Sequence, residues 1–301
     1  MRHAARIVRV EEPLALSAPL ARELAQRLCR TDPASGECCV WYHGFWQYLR
    51  LLGLAMTAAL HTDFYRPALQ SATRRGPVRR VLISAAADYC TLAHAAAYLR
   101  ERGTEPEFVV VDYCETALAL NRWYADRYSL RLATWCGDIL DFADADGFDV
   151  ICTHSFFGRF LSAQRRPLVQ KWQALLRPGG LVITANRIQP SAAADRPTLF
   201  NREQAAAFRA TVLQAAEAMG GLPGIDTEAL GAAADLYTSR PAGYPVRSRE
   251  EFVALFGLPG LEPLEISWAP VNRGARDDVG GPRVPSGAEY GRAIIARRPA
   301  R

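Results

Sequence analysis

Apolar residues recur at helical spacing from Leu14 to Cys29 and again from about Val40 to Leu60, so the pattern opens on a helical section. A basic turn punctuated by Gly and Pro, Arg74 to Pro77, closes that section. The rhythm then changes to short apolar runs alternating with amphipathic stretches. Strands are predicted over Arg80 to Ala85, Phe108 to Val111, Arg131 to Trp135, Phe148 to Thr153 and Leu181 to Ala185. Helices are predicted between them over Tyr89 to Glu101, Cys114 to Asp126 and Ser162 to Leu176. Strands separated by helices of this length imply right-handed crossovers and a mostly parallel sheet covered on both faces.

The stretch from Pro190 to Leu258 breaks the alternation, with helix-like segments at Arg202 to Met219 and Thr227 to Tyr237 and no convincing strand. Two further β-like runs, Leu261 to Ala269 and Glu289 to Arg297, look like a closing antiparallel hairpin, bringing the sheet to seven strands. Their Gly/Pro/Arg/Asp-rich connection is long enough to be expected mobile. The expected organisation is a helical cap or lid over residues 1–77 and an α/β domain over 78–301, with a helical insert at about 190–258.

Composition narrows the class. Half of the 301 residues are apolar, enough for a sizeable core. The formal charge of +5 comes from 36 basic and 31 acidic residues, with the arginines scattered, so no basic stripe points to nucleic acid. Seven cysteines without a C-x-x-C pair read as small buried residues in a reducing compartment, with no metal expected. Neither a secretory signal nor a run long enough to cross a bilayer stands out, so a cytoplasmic protein is expected, without membrane partners. Assembly into homo-oligomers stays open.

Chemistry concentrates at strand ends. The run Arg80-Val-Leu-Ile-Ser84-Ala85-Ala86-Ala87-Asp88-Tyr89 is a buried strand that ends in small residues before a helix, which lets a ligand approach backbone N–H groups. Phe108-Val-Val-Val-Asp112-Tyr113 ends the second strand in a carboxylate suited to the two hydroxyls of a ribose, or to capping the next helix. Cys136-Gly137-Asp138-Ile139 follows the third strand, and His154-Ser155-Phe156 exits the fourth. Leu175-Leu-Arg-Pro-Gly-Gly-Leu then launches the fifth.

In this order and spacing, residues 79 to 187 resemble the class I S-adenosylmethionine (SAM) dependent methyltransferases, a Rossmann-like α/β fold. The resemblance implies SAM as cofactor, with ribose held at Asp112, adenine beside Asp138 and Ile139, and the methionine moiety near His154 and Ser155. The family's acidic, Gly-rich run after the first strand is replaced here by Ile83-Ser84-Ala85-Ala86-Ala87-Asp88-Tyr89. Cofactor contacts are therefore expected from Ser84, Ala85, Ala86, Asp88, Asp112, Tyr113, Asp138, Ile139 and Ser155.

His154 is the candidate general base, against a structural role orienting its loop. The front cluster Trp41-Tyr42-His43-Gly44-Phe45-Trp46-Gln47-Tyr48 reads either as core packing or as an aromatic lid facing a sulfonium. Tyr42, His43, Trp46 and Tyr48 are the lid candidates, and Asn186 and Arg187 the candidates for an anionic substrate or the methionine carboxylate. The expected activity is methyl transfer to a small molecule. Two alternatives stand beside it: cyclisation of SAM to azetidine-2-carboxylate and methylthioadenosine, and a non-catalytic SAM-fold subunit.

Overall fold

A computed structural model of the chain describes residues 10–31, 36–190, 195–241, 243–271 and 288–299. Helices α1 (Leu14–Leu28) and α2 (Val40–Leu51) form the front section, followed by a short 3₁₀ turn (Ala58–His61) and α3 (Thr62–Arg75). The sequence pattern missed α3, whose amphipathic stripe of Phe64, Tyr65, Ala68, Leu69 and Ala72 is interrupted by Pro67. The predicted alternation then follows as β1 (Arg80–Ser84), α4 (Cys90–Arg100), β2 (Glu107–Asp112), α5 (Glu115–Arg127), β3 (Leu132–Cys136), β4 (Phe148–His154), α6 (Ser162–Leu175) and β5 (Leu176–Ile188).

Beyond β5 lie α7 (Arg202–Ala218), α8 (Thr227–Thr238) and α9 (Arg249–Ala254), then β6 (Leu261–Pro270) and β7 (Glu289–Arg297). Asn201 and Asp226 cap α7 and α8 by accepting from Gln204 N and Ala229 N, each at 2.8 Å. Helix α9, too short to show a period, escaped the sequence pattern. The predicted mobile connection between β6 and β7 falls, at residues 272–287, outside the described residues, as does most of the stretch from Met1 to Glu12 read for a leader.

The seven strands form one sheet in the order β3-β2-β1-β4-β5-β7-β6, with β7 antiparallel to both its neighbours. The inner strands β1, β2, β4, β5 and β7 are buried on both faces, so their apolar side chains alternate between two cores, while the edge strands β3 and β6 are partly exposed. Val81, Ile83, Phe108, Val110, Val150 and Cys152 pack beneath α3 and α4. Leu82, Val109, Val111, Ile151 and Val182 face the other way, toward Leu168 and Trp172 of α6 and Phe252 of α9. A third cluster joins Phe45, Tyr48 and Leu49 of α2 to Phe208 and Val212 of α7 and Leu230 and Ala234 of α8. The chain thus folds its front helices and its late helices against one another.

Because β1 to β4 run parallel, their carboxyl ends emerge at one edge, and β1 and β4 lie side by side where the strand order reverses direction. No described helix is long and apolar enough to cross a membrane.

Candidate active site

That edge opens into a cavity of about 560 Å³, within the range of roughly 300–1,000 Å³ for small-molecule sites. Its floor is the run Ala85 to Asp88 after β1, Asp112 to Cys114 after β2, Gly137 to Ile139 after β3, and His154 to Phe156 after β4. Tyr42, His43 and Trp46 of α2 and Tyr237 of α8 form the wall above. Asn186 and Arg187 close the side beyond β5.

Ala85 has φ +66°, the left-handed region that favours glycine. Its N–H donates to Val111 O at 2.9 Å, locking the turn to the end of β2. The loop therefore keeps a glycine backbone without the glycine, at a cost of about 1–2 kcal/mol. Asp112 joins the same loop: its Oδ2 accepts from Ala86 N at 2.9 Å and its Oδ1 from Cys114 N at 2.8 Å. Both sequence-level roles meet here, since a carboxylate with two bonds made still has acceptor sites for ligand hydroxyls. Burial pushes the Asp112 carboxyl up, against the pull of His43 and the two amides.

Asp138 turns its own loop by accepting from Leu140 N at 2.9 Å, while Ile139 is buried beside it. Gly137 is required by close approach, since a Cβ there would lie 2.5 Å from the Trp135 ring. Tyr113 lines the cavity while 70% exposed. Ser155, at φ +51°, is held by its N–H to Ala185 O at 2.8 Å.

Two expected contacts are corrected. Ser84 does not line the cavity: it is fully buried under the sheet, where its Oγ accepts from Trp172 Nε1 at 2.9 Å. Tyr48 is likewise absent from the wall, being buried one turn further along α2, with its hydroxyl donated to Pro223 O at 2.9 Å. A helix shows one stripe to the cavity and another to the core, and Tyr48 lies on the core stripe.

Asp88 is engaged from within, accepting from Cys90 N at 2.6 Å and from Arg50 Nη1 at 3.0 Å. Arg50 also pairs with Glu12. Asn186 is spent on its own loop, accepting from Phe157 N at 3.1 Å and donating to Arg187 O at 2.9 Å.

His154 lines the cavity, yet its Nε2 is buried and has no hydrogen-bond partner. Tyr65 donates its hydroxyl proton to Thr153 O at 2.6 Å and accepts from Ala185 N at 3.1 Å, leaving only acceptor capacity toward His154 Nδ1 at 3.4 Å. The proton of the neutral ring therefore sits on Nδ1. Burial and the neighbouring His61, 5.2 Å away between ring centroids, depress its basicity well below the ordinary imidazole value. A ring so hard to protonate is a poor acceptor of a full proton. Burial thus weighs against a general-base role.

The aromatic wall is real and larger than the sequence indicates. Tyr42 stacks between Trp46 and Tyr237, with centroids 5.1 and 6.5 Å away, and Arg159 lies 5.1 Å over the Tyr42 ring. Tyr237 and Arg159 were missed because only the tertiary fold brings α8 and the turn after β4 to α2.

Three of the seven cysteines, all read from sequence as small buried residues, meet beside the cavity. Sγ of Cys114 lies 3.6 Å from that of Cys29 and 3.5 Å from that of Cys39, all as free thiols. Hydrogen bonds from Cys29, Cys39 and His43 hold the Cys114 thiol well below the ordinary range.

Residues 90–180 match a family model described as a methyltransferase domain. No curated protein matches the chain. Among solved structures, the chain is similar to N-methyltransferase NodS from Bradyrhizobium japonicum in complex with S-adenosyl-L-homocysteine, at 15% identity over 83% of this chain and 98% of that one, TM-score 0.43. TehB from Haemophilus influenzae is similar at 12% identity over 86% and 67% of the two chains, TM-score 0.44. The SAM-dependent methyltransferase SibL in its apo form is similar at 15% identity over 96% and 70%, TM-score 0.44. The strand order β3-β2-β1-β4-β5-β7-β6 is that of the class I, Rossmann-like methyltransferase fold, and within it residues 90–180 match the methyltransferase domain model.

Proposed function

We propose that the chain binds SAM in this cavity and transfers its methyl group to a small molecule. The observation that carries the reading is the convergence, on one cavity, of the Asp112 carboxylate, the Ala85 to Ala87 turn and the Tyr42, Trp46 and Tyr237 rings. SAM, when bound, supplies a methyl group on a positively charged sulfur.

The residues present fit that group. Asp112 has free acceptor capacity for a pair of ribose hydroxyls, Asp138 and Ile139 flank the place for a flat base, and the turn at Ala85 keeps the backbone of a ligand cradle. The stacked rings offer π faces to a cation and exclude water from it. Arg187 and Arg159 make the side beyond β4 and β5 basic, which suits an acceptor carrying negative charge. Methyl transfer to a nucleophile of that kind needs alignment more than proton abstraction, consistent with a His154 whose basicity burial and His61 depress.

The test is product analysis. Protein incubated with SAM and pools of small phenolic, amine, thiol and carboxylate acceptors should give S-adenosylhomocysteine and a methylated acceptor, while SAM alone should be left unchanged. Enzyme-dependent methylthioadenosine and azetidine-2-carboxylate from SAM alone would replace transfer by cyclisation. Absence of SAM binding by calorimetry would overturn both.

A further inference from the structure

Three cysteines remote in sequence meet at helix ends: Cys29 caps the C-terminus of α1, Cys39 the N-terminus of α2 and Cys114 the N-terminus of α5. Their sulfurs all lie within 4.8 Å of one another, with edges of 3.6 Å from Cys29 to Cys114 and 3.5 Å from Cys39 to Cys114. Four ligands around zinc at Zn–S of about 2.3 Å give a sulfur–sulfur edge of about 3.8 Å, so the thiols already stand near tetrahedral spacing.

One turn along α2 from Cys39, at i+4 and hence on the same face, stands His43. His43 is 7% exposed and keeps a buried Nδ1 without a partner. The other polar neighbour is Thr116, whose Oγ1 is 3.2 Å from Cys29 Sγ.

We infer that Cys29, Cys39 and Cys114, with His43 as fourth ligand, form a binding site for a thiophilic divalent cation, zinc above all. Three sulfurs and one imidazole make a donor set typical of closed structural zinc sites. Hard cations are disfavoured, since they seek oxygen ligands. Binding replaces each thiol S–H by a metal–sulfur bond, with the proton released to solvent and no electron transferred. The His43 nitrogens lie outside the compact sulfur trio, so the imidazole must turn toward the sulfurs to complete the set. The ion ties the front helices to the strand end that carries Asp112, two residues before Cys114, and so fixes α2 over the cavity floor. Two thiols of such a trio also fit oxidation, and the experiment separates the outcomes.

Full-length protein purified under reducing conditions without added metal should carry about one zinc per chain by inductively coupled plasma mass spectrometry. After chelation, titration with Co2+ should give thiolate-to-cobalt charge transfer and the visible bands of tetrahedral cobalt. Cys29→Ser and Cys39→Ser should each weaken zinc binding at least about tenfold. His43→Gln should keep the charge transfer and change the visible envelope. Cys136→Ser, an exposed thiol outside the trio, should bind as the parent does. A parent protein without zinc and without charge-transfer bands overturns the site, as do bands unchanged in Cys29→Ser. A Cys39–Cys114 disulfide in mass-mapped peptides of reduced, zinc-exposed protein also overturns it. The parent's own titration decides even if a serine variant fails to fold, and none of these readouts depends on SAM.

Discussion

Arg50 on α2 donates from Nη1 to Oδ2 of Asp88 at 3.0 Å, and the two side chains are only 3% and 2% exposed. The helix that carries the aromatic wall is thereby joined to the loop after β1. Removing one partner strands a buried charge, so Arg50→Met should destabilise the fold by about 3–5 kcal/mol. Asp88→Asn in the same background should recover part of that loss. Urea unfolding of the two single variants and the double variant measures the coupling, and additive losses would show the pair to be unimportant.

Asp112 serves the fold and, on the proposed reading, the cofactor. Asp112→Ala should weaken SAM binding about 30- to 150-fold, the loss of charge-assisted bonds worth about 2–3 kcal/mol. It should also cost about 1–3 kcal/mol of stability, because Ala86 N and Cys114 N lose their acceptor. Calorimetry and thermal melting read the two effects separately. A variant that melts early yet binds SAM unchanged leaves Asp112 as a cap alone.

Ala85 gives a sharper test of the altered loop. Ala85→Gly removes about 1–2 kcal/mol of left-handed strain and adds about 0.5–1 kcal/mol of unfolded-chain entropy, for a net gain of up to about 1.5 kcal/mol. Ala85→Val, a branched side chain at φ +66°, should destabilise markedly. Equal stability of all three proteins would mean that the turn relaxes.

The buried histidines pull stability in opposite directions with pH. His94 lies 3.6 Å from Glu12, an ion-pair distance. Burial opposes its charge, but Cys90 and Glu12 outweigh burial and raise its pKa to about 11. A raised pKa stabilises fully below the unfolded value of about 6.5, and the benefit is lost as pH climbs toward 11. His61, lowered to about 4 by burial and Arg292, and His154, lowered well below its ordinary value, act in reverse. The contribution of His61 is present above about 6.5 and is lost as pH falls toward 4, and that of His154 is lost in the same direction. Unfolding midpoints should therefore be highest near pH 6.5, His94→Gln flattening the alkaline limb and His154→Asn the acidic one. A pH profile identical in His94→Gln and parent would contradict this division.

The positions of β1 to β5 were legible because they are short apolar runs, most of them separated by helices of crossover length, and the closing hairpin because Glu289 to Arg297 is strongly β-like. Helix α3 was not, since Pro67 hides its stripe, nor was α9, with its six residues. At the site, strand-end residues such as Asp112, Asp138 and Ser155 could be placed from sequence because a parallel sheet brings all strand ends to one edge. Tyr48 and Ser84 could not: which stripe of a helix, or which end of a turn, faces a cavity depends on its packing partners. Tyr237 and the trio of Cys29, Cys39 and Cys114 come together only through contacts between distant segments.

The division of α2 into a cavity stripe with Tyr42, His43 and Trp46 and a core stripe with Phe45, Tyr48 and Leu49, Arg50 being paired below, has a consequence for selectivity. Tyr42 and Trp46 stand on a helix whose orientation is set when the protein folds, so little further ordering of that wall is needed when a ligand arrives. Discrimination on this side then rests on a preformed template. On the proposed function, acceptors would be sorted by outline and thickness against the stacked rings, and a bulkier ring would be turned away by contact rather than accommodated by a shift of the helix.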